Sequence, residues 1–219
     1  MSPLPREPAR LIGIGASAGG IDALLKVVGG LPRDLPHAIF VVLHLPATGS
    51  SVLAEILDRK CALTVTTAAH GERIARGRIY CAPPDAHVEV RAGWIVLTRG
   101  PKENGVRPAA DVTLRSLARA VGPQAVAVVL SGALGDGSAG AEAVASAGGC
   151  VIVQDPADAI VASMPEHAIA RVGAAARRLP ADRIGAALAG LPAVAGAIGE
   201  NAPVTGGRQR DVESAEATG

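Results

Sequence analysis

The sequence predicts an α/β fold: a doubly wound, mainly parallel sheet with helices on both faces and a short antiparallel hairpin excursion. Three observations carry that prediction. Short, wholly apolar runs alternate with segments of helical spacing, the pattern of strands buried on both faces by crossover helices. The composition is 49% hydrophobic but only 1% aromatic, so the core must be built from Val, Leu, Ile and Ala, which suits parallel strands under close-packed helices. The length, 219 residues, suits one large domain or one domain plus a tail.

The elements follow in order. Residues 1–9 are polar and proline-rich and are read as a flexible arm. Residues 10–15 form a first strand, and 19–30 have helical spacing at Ile21, Leu24, Leu25 and Val28, ended by glycines. The run 38–43 (AIFVVL) is a second strand, ending at His44-Leu-Pro46. Residues 50–59 read as helix with Ser50 or Ser51 as N-cap, and 63–67 as a β-branched strand. Residues 77–98 hold short strands and a turn at Ala92-Gly93, read as an antiparallel excursion. Helix is expected over 109–121, strand over 125–130, a small-residue helix over 138–147, strand over 150–154, and helices over 164–172 and 181–191. The domain therefore spans 10–192, and 193–219 is expected to be a disordered tail. The 27 Gly and 16 Pro mark many turns but recur with no fixed period, so no repeat architecture is indicated.

Bulk chemistry excludes several function classes. A net charge of +1, from 21 basic and 20 acidic residues, provides no basic field for nucleic acid. No run approaches 18 apolar residues and the N-terminus has no apolar signal core, so no membrane insertion and a cytoplasmic protein are expected. Cys61, Cys81 and Cys150 are far apart and odd in number, which supports buried thiols rather than a disulfide framework or a zinc site. Neither a cofactor nor a metal is expected.

The most informative stretch is Gly15-Ala-Ser17-Ala-Gly19, a G-x-S-x-G pattern between the first strand and first helix. Small neighbours leave the hydroxyl uncovered, glycine permits the tight turn, and the helix behind it aims free N–H groups at the site. Such a serine suits acyl transfer, but it equally suits a phosphate loop. In an open parallel sheet, sites form beyond the carboxyl ends of the strands. Ser17 follows strand one, His44 strand two, and Asp136 the run at 125–130, so a nucleophile, a base and a carboxylate share one rim. Each alone has a bland reading: a small-residue turn, a structural histidine, a D-G turn. His37 is read as a surface residue at the opposite end, and His70, His87 and His167 have no partner at metal-ligand spacing. Asp155 reads as a turn on the rim, and Asp111 as a charge at a helix N-terminus.

Separated blocks then resemble one family. IGIGASAGGIDAL (12–24), VVLHLP (41–46), RPAADVTLRSLA (107–118), VVLSGALGDGSAG (128–140) and VIVQDPADAIVASMPEHAI (151–169), with YCAPPDAHVEV (80–90), are similar to the catalytic domain of the chemotaxis protein-glutamate methylesterases, the CheB type. The resemblance implies a catalytic Ser17, His44 and Asp136, and hydrolysis of γ-glutamyl methyl esters on the methylated cytoplasmic helices of chemoreceptors, with glutamine deamidation in some members. Backbone N–H groups near Ala18 and in the Gly132–Ala133 turn are candidates for the oxyanion hole. Many members carry a receiver domain ahead of this one; only about ten residues precede strand one here, so a separate regulator is expected in its place. Ala18 stands where better-known members have threonine, and Ser131-Gly-Ala-Leu134 replaces a T-G-M-G-type turn.

Rival readings are weaker. Gly13, Gly15 and Gly19 are spaced G-x-G-x-x-x-G, one residue off the dinucleotide fingerprint, and strand two ends in His44 rather than an acid. An α/β-hydrolase would order its residues Ser, Asp/Glu, His, not Ser, His, Asp. The remaining alternative is a receptor-binding scaffold that keeps the fold without the activity.

Overall fold

The computed structural model describes residues 8–44 and 52–192. Seven strands form one parallel sheet: β1 (Leu11–Ala16), β2 (Ala38–Leu43), β3 (Thr64–Thr67), β4 (Arg78–Cys81), β7 (Ala125–Val129), β8 (Cys150–Gln154) and β9 (Ala176–Leu179). Their order is β3-β4-β2-β1-β7-β8-β9. Strands β5 (His87–Arg91) and β6 (Trp94–Thr98) pair separately as an antiparallel hairpin. Every residue of β1, β2 and β7 is buried, which explains why these strands read as unbroken apolar runs.

Among the described residues six α-helices cover the two faces: α1 (Gly20–Gly29), α2 (Leu53–Asp58), α3 (Ala110–Val121), α4 (Ser138–Ser146), α5 (Ser163–Val172) and α6 (Ala181–Ala189). One core joins Ile12, Ile14, Ile39 and Val128 to Leu24 and Val27 of α1, Leu57 of α2 and Ile184 of α6. The other joins Phe40, Ala127 and Val129 to Leu114 of α3, Val144 of α4, Met164 of α5 and Val90 of the hairpin. The hairpin is pinned to α3 by the Thr113 hydroxyl, which donates to the Val88 carbonyl at 2.8 Å, and by the Val90 N–H, which donates to Ser116 Oγ at 3.1 Å. No helix among the described residues is long and apolar enough to cross a membrane.

The structure corrects several expectations. Residues 78–81 are not part of an antiparallel excursion. They form β4, parallel between β2 and β3, because Ile79, Tyr80 and Cys81 are buried there on both faces of the sheet; only β5 and β6 make the hairpin. Its turn is at Ala92-Gly93 as expected, both with positive φ (48° and 80°), the geometry a two-residue hairpin turn requires. Strand β9 was not anticipated: its four residues include Arg177 and Arg178, both exposed at the sheet edge. The proposed caps Ser50 and Ser51 lie outside the described residues, as do 1–7 of the arm and the tail at 193–219.

His37 is not at the surface. It is fully buried at the start of β2. Its neighbour across the sheet end, Arg10, is held by its guanidinium donating to the Pro192 carbonyl at 2.8 Å and the Pro123 carbonyl at 3.2 Å. Neither ring nitrogen of His37 meets a partner of good geometry among the described residues, and the nearby Leu188 carbonyl opposes the shift only in part. Burial, reinforced by the Arg10 charge, pushes the His37 pKa down to about 4.

Candidate active site

Strand β1 is central, β2 lies on one side and β7 on the other, so the chain reverses direction across the sheet at β1 and a crevice opens at the carboxyl ends. Ser17 directly follows β1, and its N–H donates to the Ser131 carbonyl beyond β7 at 2.9 Å. Gly19 has φ of 72°, which lets the chain turn at once into α1; a Cβ there would sit 2.6 Å from Ile160 Cβ. His44 follows β2, with its N–H donating to the Ala16 carbonyl at 3.2 Å. Asp136 ends the turn after β7, just before α4.

These three side chains meet. His44 Nε2 is 2.7 Å from Asp136 Oδ2, and His44 Nδ1 is 3.1 Å from Ser17 Oγ. Asp136 is buried, which pushes its carboxyl pKa up. The His44 ring and the N–H groups of Ala110 and Asp111 outweigh that and hold it below the usual carboxylate range. An ionised Asp136 can only accept, so His44 Nε2 carries the proton and donates to it. Nδ1 then holds a free lone pair, and the Ser17 hydroxyl donates to it. The arrangement can pass the serine proton to Nδ1 while the carboxylate steadies the positive ring.

Asp136 is supported from several directions. The N-terminus of α3 points at it, Ala110 N–H donating to Oδ2 at 2.6 Å and Asp111 N–H to Oδ1 at 3.0 Å. Asn104 Nδ2 donates to Asp136 Oδ1 at 3.0 Å and to Asp111 Oδ2 at 2.8 Å. Asp111 stands in the first turn of α3, as expected, but not at the surface. It is buried, accepts the Gly140 N–H at 2.6 Å, and has its pKa raised by that burial, with Asp136 nearby adding to the rise. Asn104 reaches the pair because its loop is tied down. Arg115 Nη2 bonds Glu103 Oε2 at 2.5 Å, and Arg107 holds Asp85 together with the Gly100 carbonyl.

Sequence reasoning missed Asn104; it placed Asp111 in a helix's first turn, where it stands, but missed its burial beside Asp136. Asp111 carries a signal in its place in the block at 107–118; Asn104 carries none, because it sits in a loop outside the helical pattern and its partner Asp136 lies 32 residues on. Ser131 was also missed as a positioning group. Its buried hydroxyl donates to the Ala18 carbonyl at 2.8 Å and accepts the Val161 N–H at 2.9 Å. Of the oxyanion candidates, Gly132 drops out as a donor: its N–H is already given to the Val161 carbonyl at 3.0 Å. The N–H groups of Ala18 and Ala133 meet no acceptor among the described residues. His87 is structural, its Nδ1 accepting the Ala109 N–H and its Nε2 donating to the Pro101 carbonyl.

The family model for CheB methylesterase matches residues 12–188. The chain belongs to the CheB methylesterase family. Relatives named protein-glutamate methylesterase/protein-glutamine glutaminase include one from Pseudomonas aeruginosa, 40% identical over 85% of this chain and 56% of its own length. One from Azospirillum brasilense is 41% identical over 80% of this chain and 45% of its own. The chain spans about half the length of such curated relatives. The crystal structure of the Thermotoga maritima CheB methylesterase catalytic domain superposes with a TM-score of 0.78 at 36% identity, covering 82% of this chain and 97% of that one. The CheB fold thus accounts for the sheet and both helical layers described above.

Proposed function

We propose that the chain is a serine hydrolase that removes methyl groups from glutamate methyl esters on the cytoplasmic helices of chemoreceptor-type signalling proteins, and that the same site deamidates glutamine. The observation that carries this reading is the single imidazole bonded on one side to Ser17 and on the other to Asp136. Names shared by relatives at about 40% identity support the substrate class.

In this mechanism Ser17 Oγ attacks the ester carbonyl carbon as its proton passes to His44 Nδ1. The oxyanion is received by the N–H groups of Ala18 and Ala133, a donor of this kind being worth about 3 kcal/mol. The C–O bond to methoxide breaks, the leaving group takes the proton from His44, and methanol departs. Water then attacks the acyl-enzyme with His44 again as base, freeing the glutamate carboxylate and Ser17. The ring is reversed relative to the template of serine proteases, Nδ1 rather than Nε2 facing the hydroxyl; either nitrogen serves, since each is a base when the other carries the proton.

Methanol release from methylated receptor membranes tests the proposal. Ser17→Ala and His44→Ala should each lower kcat by about 10⁴-fold or more. Equal, measurable rates in all three proteins would remove Ser17 and His44 from the chemistry, and no release by any of them would leave the inactive scaffold as the correct reading.

A further inference from the structure

Five large apolar side chains are exposed among the described residues, and the two most exposed, Leu134 and Ile160 at 68% each, both border the Ser17 turn. Neither position is cheap. Leu134 has φ of 65°, a left-handed backbone that side-chain-bearing residues avoid and that glycine takes freely. It contributes nothing to the core in return. Ile160 sits directly on the turn after the serine, its Cβ and Cγ2 lying 2.6 and 3.0 Å from where a Gly19 side chain would begin.

Both are fixed to the frame that holds Ser17. The Ser17 N–H donates to the Ser131 carbonyl, and Gly132 N–H to the Val161 carbonyl. The Met164 N–H donates to the Gly132 carbonyl, and the Ser163 hydroxyl donates to the Leu134 carbonyl at 3.0 Å. Residues 160–164 therefore run beside 131–134. Leu134 lies between Gly132, whose Cβ position is 2.8 Å from Ser17 Cβ, and Asp136, which holds His44. Strained, exposed, apolar and anchored beside a nucleophile is the combination expected of a group that meets a substrate.

We propose that Leu134 and Ile160 are specificity-determining residues: an apolar rim that selects ester-bearing glutamyl residues whose neighbours one helical turn away are aliphatic. This rests on the esterase reading above. For a glutamyl ester on a helix to reach Ser17, the same helix face must come down on the rim, and residues three and four positions away share that face. Aliphatic neighbours there release water from both surfaces. Charged neighbours would lose hydration with no partner.

The test uses the full chain and two synthetic helical peptides, each with one γ-glutamyl methyl ester. One carries leucine at the positions four before and three after it, and the other carries glutamine there. The wild type should favour the leucine peptide by about tenfold in kcat/KM, mostly through KM. Leu134→Gly and Ile160→Gln should each bring that ratio down to about threefold or less, while Leu134→Met keeps it. Because the readout is a ratio, a loss common to both peptides cancels. Leu134→Gly should also hold or raise Tm, since it relieves the left-handed strain. A wild-type ratio near one, a ratio unchanged in both variants, or a Tm lowered by Leu134→Gly would overturn the inference. Hydrolysis of both peptides at equal rates sinks the rim alone. Hydrolysis of neither peptide, nor of p-nitrophenyl acetate, sinks the esterase reading and the rim with it.

Discussion

Asp136 keeps its charge in a buried setting because donors converge on it from His44, Ala110, Asp111 and Asn104. Asn104 has the most unusual place among them, because one amide group serves two carboxylates. Remove it and two buried acids face each other with one fewer donor, so one of them is driven toward its neutral form. Asn104→Leu should lower kcat about 10- to 100-fold with KM little changed, the cost of a lost bond to a charged group. Because Asp111 already titrates above its usual range, the variant should also move the acid limb of the kcat profile upward in pH. A purely structural role for Asn104 would lower the amount of folded protein without moving that limb.

At the scale of elements, the proposed relay depends on how closely α3 lies on β1. Glycines make that approach possible: a Cβ at Gly15 would fall 2.6 Å from Ala110 Cβ, and one at Gly13 would fall 2.6 Å from Leu114 Cδ2. Ala110 is the residue whose N–H donates to Asp136 at 2.6 Å, so pushing α3 outward loosens the carboxylate as well as the core. Gly15→Ala should cost about 1–3 kcal/mol of stability, read by urea unfolding, as expected for overpacking. It should also lower kcat in the protein that remains folded. A stability loss with kcat unchanged would mean that α3 shifts without carrying its N-terminus off Asp136.

Across the whole molecule, the two ends of the sheet do different work. The carboxyl end carries the hydrogen-bonded Ser17, His44 and Asp136, and the amino end is sealed by buried His37 and Arg10. His37 titrates near 4 in the folded chain against about 6.5 when unfolded. Below pH 6.5 the unfolded state binds a proton that the folded state does not. Stability is therefore full above that pH and is lost as pH falls from 6.5 toward 4, by about 2 kcal/mol between pH 7 and pH 5. Urea midpoints measured at both pH values should show this slope in the wild type and a much flatter one in His37→Leu. Identical slopes would assign the acid sensitivity elsewhere.

By itself the sequence determined the parallel sheet, the order of its main elements and the rim on which Ser17, His44 and Asp136 stand. Those follow from apolar runs and local turn chemistry, which any short window contains. It misjudged Arg78–Cys81, because a four-residue strand reads the same in a hairpin and in a parallel sheet, and only pairing with β2 and β3 tells them apart. It passed over β9, whose arginines mask an edge strand. His37, Asp111 and Asn104 took on their character from burial and from partners far along the chain, and the Gly132 N–H was ruled out only by the Val161 carbonyl across from it. Tertiary structure decided these because burial and hydrogen-bond satisfaction belong to three-dimensional neighbourhoods, which local residue patterns do not encode.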